Sequence, residues 1–403
     1  MIALALPAGA QEWTRFRGPN GSGVGKANLP EQLTDKDINW RCELPGTGHS
    51  SPVVWGGKVF VTCTPKSGPD TEAKWVVVCV GANDGKILWQ REYATGAYRK
   101  HADNSFASPS CAVDAERVFL WMAGPDRSAL IALAQADGRE VWKQDLGGFE
   151  AQHGPGASPI VEGGVLFLQS SQDKPGSFIG AVDAATGKPL WKNELKGGTH
   201  AISTPCFFSG ASGSPQLVSM STDSGLIGLD PRNGKELWSM PDLFRLRCVA
   251  SPVVAGNLLI AQSGQGIDKS EIRAIRGATG GKPETAYEII RVGGYVPTPL
   301  AAGDLLFLWK ENGYVTCVRA ATNEQLWSER AEGPYYASPV CVGGKGARLY
   351  NVTRRGDLVV LAADEKFRLI QRFPLGEGSY ATPALSGGRM FVRTFSHLLS
   401  IGK

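Results

Sequence analysis

An all-β chain of eight repeated four-stranded units is the fold predicted for these 403 residues, and three observations predict it. A Ser or Thr followed by Pro recurs at Ser51-Pro52, Ser108-Pro109, Ser158-Pro159, Thr204-Pro205, Ser251-Pro252, Thr298-Pro299, Ser338-Pro339 and Thr382-Pro383. Beside it recurs a polar turn, usually Asp or Asn with Gly, that ends in a Trp: Trp89, Trp142, Trp191, Trp238 and, without the Gly, Trp327. The composition agrees, since 51 Gly and 25 Pro with only 20% charged residues suit short strands and turns rather than helices or disorder.

Each element of the unit is legible in turn. After the Pro comes a short apolar run, a Gly-rich turn and a second apolar run, as in "SPVVWGGKVFVT", "SPIVEGGVLFLQ" and "TPALSGGRMFVR", which reads as a hairpin. A variable loop and a third strand follow. The Asp–Gly turn then reverses the chain, with Gly supplying the positive φ. The Trp opens the outermost strand and is expected to wedge against the neighbouring unit. A ring of that size hides roughly 150–250 Å², about 4–6 kcal/mol as an upper bound.

One such sheet is too small to stand alone. Copies spaced by roughly forty to sixty residues predict an eight-bladed β-propeller, whose sheets bury one another around an axis. The last copy, "ATPALSGGRMFVRTFSHLLSIGK", stops after three strands, whereas "INWRCELPG" supplies Trp40 with no strands of its own before it. The N-terminal strand is therefore expected to complete the C-terminal blade. Two blades, at "AYEIIRVGG" and "FRLIQRFPLG", lack the Trp, and weaker wedging is expected there. The boundaries read as a possible signal-peptide remnant over 1–10, an extended strap over 11–39 and one propeller over 40–403.

The net charge of +4 is small and dispersed, which argues against a nucleic-acid partner, and no apolar run is long enough to span a bilayer as a helix. The opening "MIALALPAGAQEW", with Ala8-Gly9-Ala10 before Gln11, reads as the end of a secretory signal, although no basic residue precedes it. It predicts export to the periplasm or beyond. The eight cysteines show no CxxC and no metal-ligand spacing, so no metal is expected. Cys111, Cys206 and Cys341 follow a recurring Pro and read as buried small hydrophobes. Cys63 and Cys79 are a candidate cross-hairpin disulfide.

The segment Ala181-Val182-Asp183-Ala184-Ala185-Thr186-Gly187-Lys188-Pro189-Leu190-Trp191 resembles the Ala-x-Asp-x-x-Thr-Gly-Lys-x-x-Trp docking motif of the quinoprotein-like eight-bladed propellers. The resemblance runs from about Trp40 to Lys403. The stretch Trp13 to Val24 resembles the opening of secreted bacterial PQQ-like repeat proteins, and the chain is similar to BamB-type outer-membrane assembly factors. The dehydrogenases of that superfamily pair a vicinal Cys–Cys disulfide with a calcium site around the quinone. This chain has no Cys-Cys, so PQQ is not expected. Trp121 and Trp309 are the candidate stacking rings, with a place in the core as the simpler reading.

The loops leading into the innermost strands all open on one face of a propeller. They carry His49, His101, His153 and His200, with His397 expected in a loop on the same face. Arg245, Arg247, Tyr295, Tyr335, Tyr336 and Tyr380 join them, with Asp103, Asn104, Glu150 and Glu377 nearby. Imidazole, guanidinium and phenol groups at the mouth of a channel predict a polar, aromatic site for a protein, a sugar or another small ligand. Lys310, Arg354 and Arg355 are expected to extend a positive rim. The leading expectation is an exported, monomeric, non-catalytic binding propeller. The alternative is a quinone- or metal-assisted oxidoreductase, or a carbohydrate-active lyase or hydrolase, with His49, His153, His200 and Arg247 as acid–base or ligand groups. Convergence of His and carboxylates in one deep pocket favours the enzyme, and scattered side chains on a flat face favour the scaffold.

Overall fold

The computed structural model describes residues 12–65, 74–94, 101–210, 213–277 and 282–403, so the expected signal remnant lies outside the described residues. Eight antiparallel sheets of four blade strands each follow one another along the chain. The first blade comprises Val53–Trp55, Lys58–Cys63, Lys74–Gly81 and Ile87–Ala94. The next six open at Ala112, Ile160, Cys206, Val253, Leu300 and Val340. Second and third strands such as "KVFVTC" and "KWVVVCVG" are buried almost throughout, because neighbouring blades cover both faces. The outermost strand "ILWQREYA" is mostly exposed, since it forms the rim.

The eighth blade closes the ring. Ala384–Ser386, Arg389–Arg393 and His397–Gly402 are joined by Ile38–Glu43, antiparallel to the last strand with Trp40 opposite Ser400. One core cluster accordingly mixes Leu44, Val59 and Val78 with Leu358, Phe391 and Leu399 from the other end of the chain.

The recurring turn and Trp form a lock between successive blades. The indole N–H of Trp40 donates to the Ala82 carbonyl of the next blade (3.0 Å), Trp89 to Gln135 (3.1 Å), Trp142 to Ala184 (3.0 Å), Trp191 to Pro231 (3.0 Å) and Trp327 to Asp364 (3.1 Å). In the first four locks the ring lies on the turn glycine: a Cβ at Gly85, Gly138, Gly187 or Gly234 would stand 2.5–2.6 Å from a ring atom. The same glycines have φ of 70–73°. Gly is thus required twice over, by the turn and by the ring.

The two blades without a Trp carry other hydrogen-bonding side chains at that position. Tyr287 occupies the Trp position of the fifth blade, and its hydroxyl donates to the Ala320 carbonyl of the sixth (2.5 Å). In the seventh blade Gln371 takes that position and exchanges two hydrogen bonds with the backbone of Leu33 (2.6 and 2.7 Å). Trp238 is the exception among the tryptophans. Its N–H donates to Gln216 of its own blade (2.5 Å), and the turn preceding Tyr287 in the following blade includes residues outside those described.

The first part of the N-terminal segment crosses the channel, bonded to innermost strands of several blades. Trp13 is fully buried and pairs with Val54, the Thr14 carbonyl receives Val113 N–H (2.9 Å), and Asn20 exchanges bonds with Phe207 (2.7 and 2.8 Å). Val24–Gly25 then joins the seventh blade as a fifth strand, parallel to its innermost one. Arg17, fully buried, donates to the carbonyls of Gly21, Ser22, Thr298 and Pro299 (2.9–3.2 Å), and Arg15 donates to the Pro205 carbonyl. Burial draws both guanidiniums down, Arg17 to about 9 and Arg15 to about 10.

All eight cysteines are free and buried. The proposed Cys63–Cys79 bridge is excluded by register: Cys63 pairs with Val76, Cys79 pairs with Phe60, and they belong to different core clusters. Trp121 and Trp309 are core residues, each edge-on to an aromatic neighbour, Phe149 and Tyr335 respectively.

Candidate functional site

The recurring Ser or Thr explains itself in the channel. Two residues before each innermost strand, a backbone N–H donates to the side-chain hydroxyl of the next blade. Ser51 donates to Ser110 (2.8 Å), Ser110 to Ser158 (3.0 Å), Ser158 to Thr204 (3.1 Å) and Thr204 to Ser251 (3.0 Å). Ser251 continues to Thr298 (3.1 Å), Thr298 to Ser338 (3.0 Å), Ser338 to Thr382 (3.0 Å), and Thr382 returns to Ser51 (3.0 Å). The circuit is complete. In the second blade the ring residue is Ser110, after the Pro, not Ser108 before it. The Ser108 hydroxyl is turned to the Ser105 carbonyl (3.0 Å) and to the Asn104 side chain.

This ring walls a chamber of about 460 Å³. Phe16 lines its far end, carried there by the strap, which bonds to the first strands beyond the ring. At the mouth stand His49, His101, His153, Asp103, Asn104, Tyr295, Tyr336 and Tyr380, so eight of the candidates read from the sequence do converge.

Asp103 organises the mouth. Its carboxylate accepts Arg354 Nη2 (2.7 Å), Tyr380 OH (3.1 Å) and Tyr336 OH (3.1 Å), reaching from the loop before the second blade to the seventh and eighth. Arg354 also lies over the rings of Tyr336 and Tyr380, at 4.3 and 4.9 Å from their centroids. The Tyr380 ring packs against that of His49 at 4.5 Å. Burial and the adjacent Asp103 push the Tyr336 phenol up to about 12. Arg354 is therefore a paired anchor rather than part of an open positive rim, and Lys310 is likewise held by Asp268 (3.6 Å) and the Arg291 carbonyl (3.0 Å).

A second cluster faces it. The rings of His101 and His153 stack at 5.1 Å, and Arg247 bonds to His153. Burial, Arg247 and His101 together draw His153 down to about 4, so its imidazole is neutral at pH 7. Arg247 is thus second in line, behind His153.

Several candidates are not where the pocket reading put them, among them Tyr335, which is fully buried with its hydroxyl on the Ala331 carbonyl (2.7 Å). His200 is buried, edge-on to Phe149, with its backbone N–H on Asp173 (2.8 Å), and burial lowers it to about 3. It is a core histidine. Arg245 is exposed and does not line the chamber. His397 begins a strand beside Glu377 (3.5 Å), outside the chamber lining.

Sequence reasoning missed Glu311 and Phe16, and it placed Arg354 on the rim. The Glu311 carboxylate accepts the backbone N–H groups of Tyr295 (2.7 Å) and Val296 (2.6 Å), while its second oxygen has no partner among the described residues. Burial pushes that carboxyl up. Its register was available: Glu311 and Arg354 occupy the same second-to-third-strand loop in adjacent blades.

A closed ring of eight such sheets, with the Ala181–Trp191 lock repeated around it, defines a PQQ-like repeat propeller. The profile described as outer membrane protein assembly factor BamB matches residues 72–329 and 311–400, and the chain belongs to that family. BamB of Yersinia pestis is 22% identical over 291 residues, 70% of this chain and 64% of that protein. BamB of Alkalilimnicola ehrlichii is 28% identical over 149 residues, 35% of each. The chain thus spans between a third and two thirds of these curated relatives. Among solved structures, BamB from Moraxella catarrhalis aligns over 93% of this chain and 97% of its own at 14% identity, TM-score 0.58. Quinohemoprotein alcohol dehydrogenase from Comamonas testosteroni aligns over 98% and 81% at 15% identity, TM-score 0.64. These likenesses establish the fold.

Proposed function

We propose that this chain is an exported, non-catalytic scaffold that binds a protein partner through the loop face around the channel mouth. The carrying observation is the Asp103–Arg354–Tyr336–Tyr380 cluster: a guanidinium and two phenols, hydrogen-bonded to one carboxylate and held before any partner arrives. Tyr and Arg on a rigid, partly desolvated surface are the residue types that anchor protein interfaces. Pre-organisation removes part of the ordering cost of binding. The relatives named as assembly factors support the same reading, as does the small-x-small motif near the start of the chain.

The residues present do not fit PQQ as the superfamily's dehydrogenases hold it. No two cysteines are adjacent, and among the described residues no group of three His, Cys, Asp or Glu is placed to hold a cation. The Asp103 carboxylate is engaged by three partners, which leaves it no lone role as a base. The convergence of His49, His101 and His153 with Asp103 in one chamber is the arrangement that favours the enzyme, which stands as the second reading. The test is co-purification of the tagged full chain from its native envelope. Arg354→Ala with Tyr336→Ala should abolish recovery of the partner while leaving the melting temperature close to wild type. Undiminished recovery from that folded variant would refute docking at the mouth.

A further inference from the structure

We propose that the chamber between the mouth and Phe16 binds a small neutral polyhydroxylated molecule, a sugar or sugar alcohol, through Glu311 and the hydroxyl ring. The inference stands apart from protein docking, because it concerns the chamber below the rim.

Glu311 supplies the first observation. It is 6% exposed, lines the chamber, and spends one oxygen on the amides of Tyr295 and Val296. Its other oxygen has no partner among the described residues, and a buried acceptor left without a donor costs about 1–3 kcal/mol. The chamber therefore favours a ligand that donates a hydrogen bond at this wall.

The ring supplies the second, with the opposite demand. Each of its eight hydroxyls accepts one backbone N–H, and none is bonded as a donor to any described residue. All eight residues are buried and line the chamber. A hydroxyl carries one proton as well as its acceptor lone pairs, so each still offers a donor. The ring favours a ligand rich in acceptors.

Only some chemistries meet both demands. A fully deprotonated oxyanion such as sulfate accepts but does not donate, and it would oppose the charge of an ionised Glu311. An organic ammonium donates but leaves the ring unanswered. An alcohol group does both, and displacing solvent from such a wall is favourable only when both kinds of bond are returned. The remaining surface suits the C–H faces of a sugar or polyol: Phe16, Ile202 and Ile267 line the chamber with Tyr295 and Tyr336. The volume of about 460 Å³ falls within the usual range for small-molecule sites.

The test is isothermal titration of the full chain with maltose and with sorbitol, beside sulfate, methylammonium and PQQ. Maltose or sorbitol should bind at millimolar concentration or below, and the other three should not. Glu311→Gln keeps an acceptor for the two amides but turns the free oxygen into a donor, and it should weaken binding by about tenfold or more. Phe16→Trp should reduce binding by filling the chamber, with thermal melting as the fold control for both variants. The proposal is overturned if neither polyol binds, if sulfate, methylammonium or PQQ binds in their place, or if both folded variants bind as wild type does.

Discussion

Single side chains decide two properties that can be measured directly. Ser110→Ala leaves the Ser51 amide without its acceptor in a buried ring, for an expected loss of about 1–3 kcal/mol in chemical denaturation. Ser110→Thr keeps the hydroxyl and should cost much less. Ser108→Ala, the position the Ser-Pro repeat singles out, should have the smaller effect, since that hydroxyl serves only its own loop. Acid sensitivity is the second property. His153 and His200 are held near 4 and 3, below the 6.5 of a free imidazole. Between about pH 6.5 and 4 the unfolded chain binds protons that the folded chain refuses, so stability is full above 6.5 and falls as the pH drops. A series of melts over that window should show the decline, and His200→Leu should flatten it.

At the scale of the blade, the lock is a ring, a carbonyl and a glycine on adjacent sheets. Trp191→Ala removes the contact with Gly234 and the bond to Pro231, and a loss of about 3 kcal/mol is expected, the low end for a large aromatic because the ring is only part-buried. Gly187→Ala should match or exceed it, since its φ of 73° and the 2.6 Å approach to Trp142 both exclude a Cβ. Equilibrium unfolding of the two variants checks both figures. Most of this was legible in the sequence: the Asp–Gly turn and the Trp recur at fixed spacing because every lock uses the same geometry. Tyr287 and Gln371 escaped notice because a phenol or an amide can make the same bond to a backbone carbonyl without looking like a Trp. Ser110 escaped because the Pro lies two residues earlier than usual, and only the ring shows which hydroxyl is in register.

For the whole molecule, closure and the channel follow from both ends of the chain. Trp40, the fourth-strand residue supplied from the N-terminus, locks the eighth blade to the first. Unfolding should proceed as one transition, and Trp40→Ala should lower its midpoint rather than split it. Residues 11–39 read from the sequence as an extended strap, and nothing in "RFRGPNGSG" announces its place at the channel. Its two arginines are charges matched to carbonyls, and the first-strand carbonyls of distant blades meet only after the ring has closed. For the same reason the histidines separated only in three dimensions: His49, His101 and His153 reach the chamber, whereas Phe149 and Asp173 hold His200 in the core.

Site-specific photo-crosslinking in the native envelope tests the central claim most directly, with a photoreactive residue at Tyr336 on the mouth and, separately, at Leu190 on the exposed outer strand. The account predicts a discrete protein adduct from position 336 and none from position 190. An adduct confined to the outer strand would contradict it.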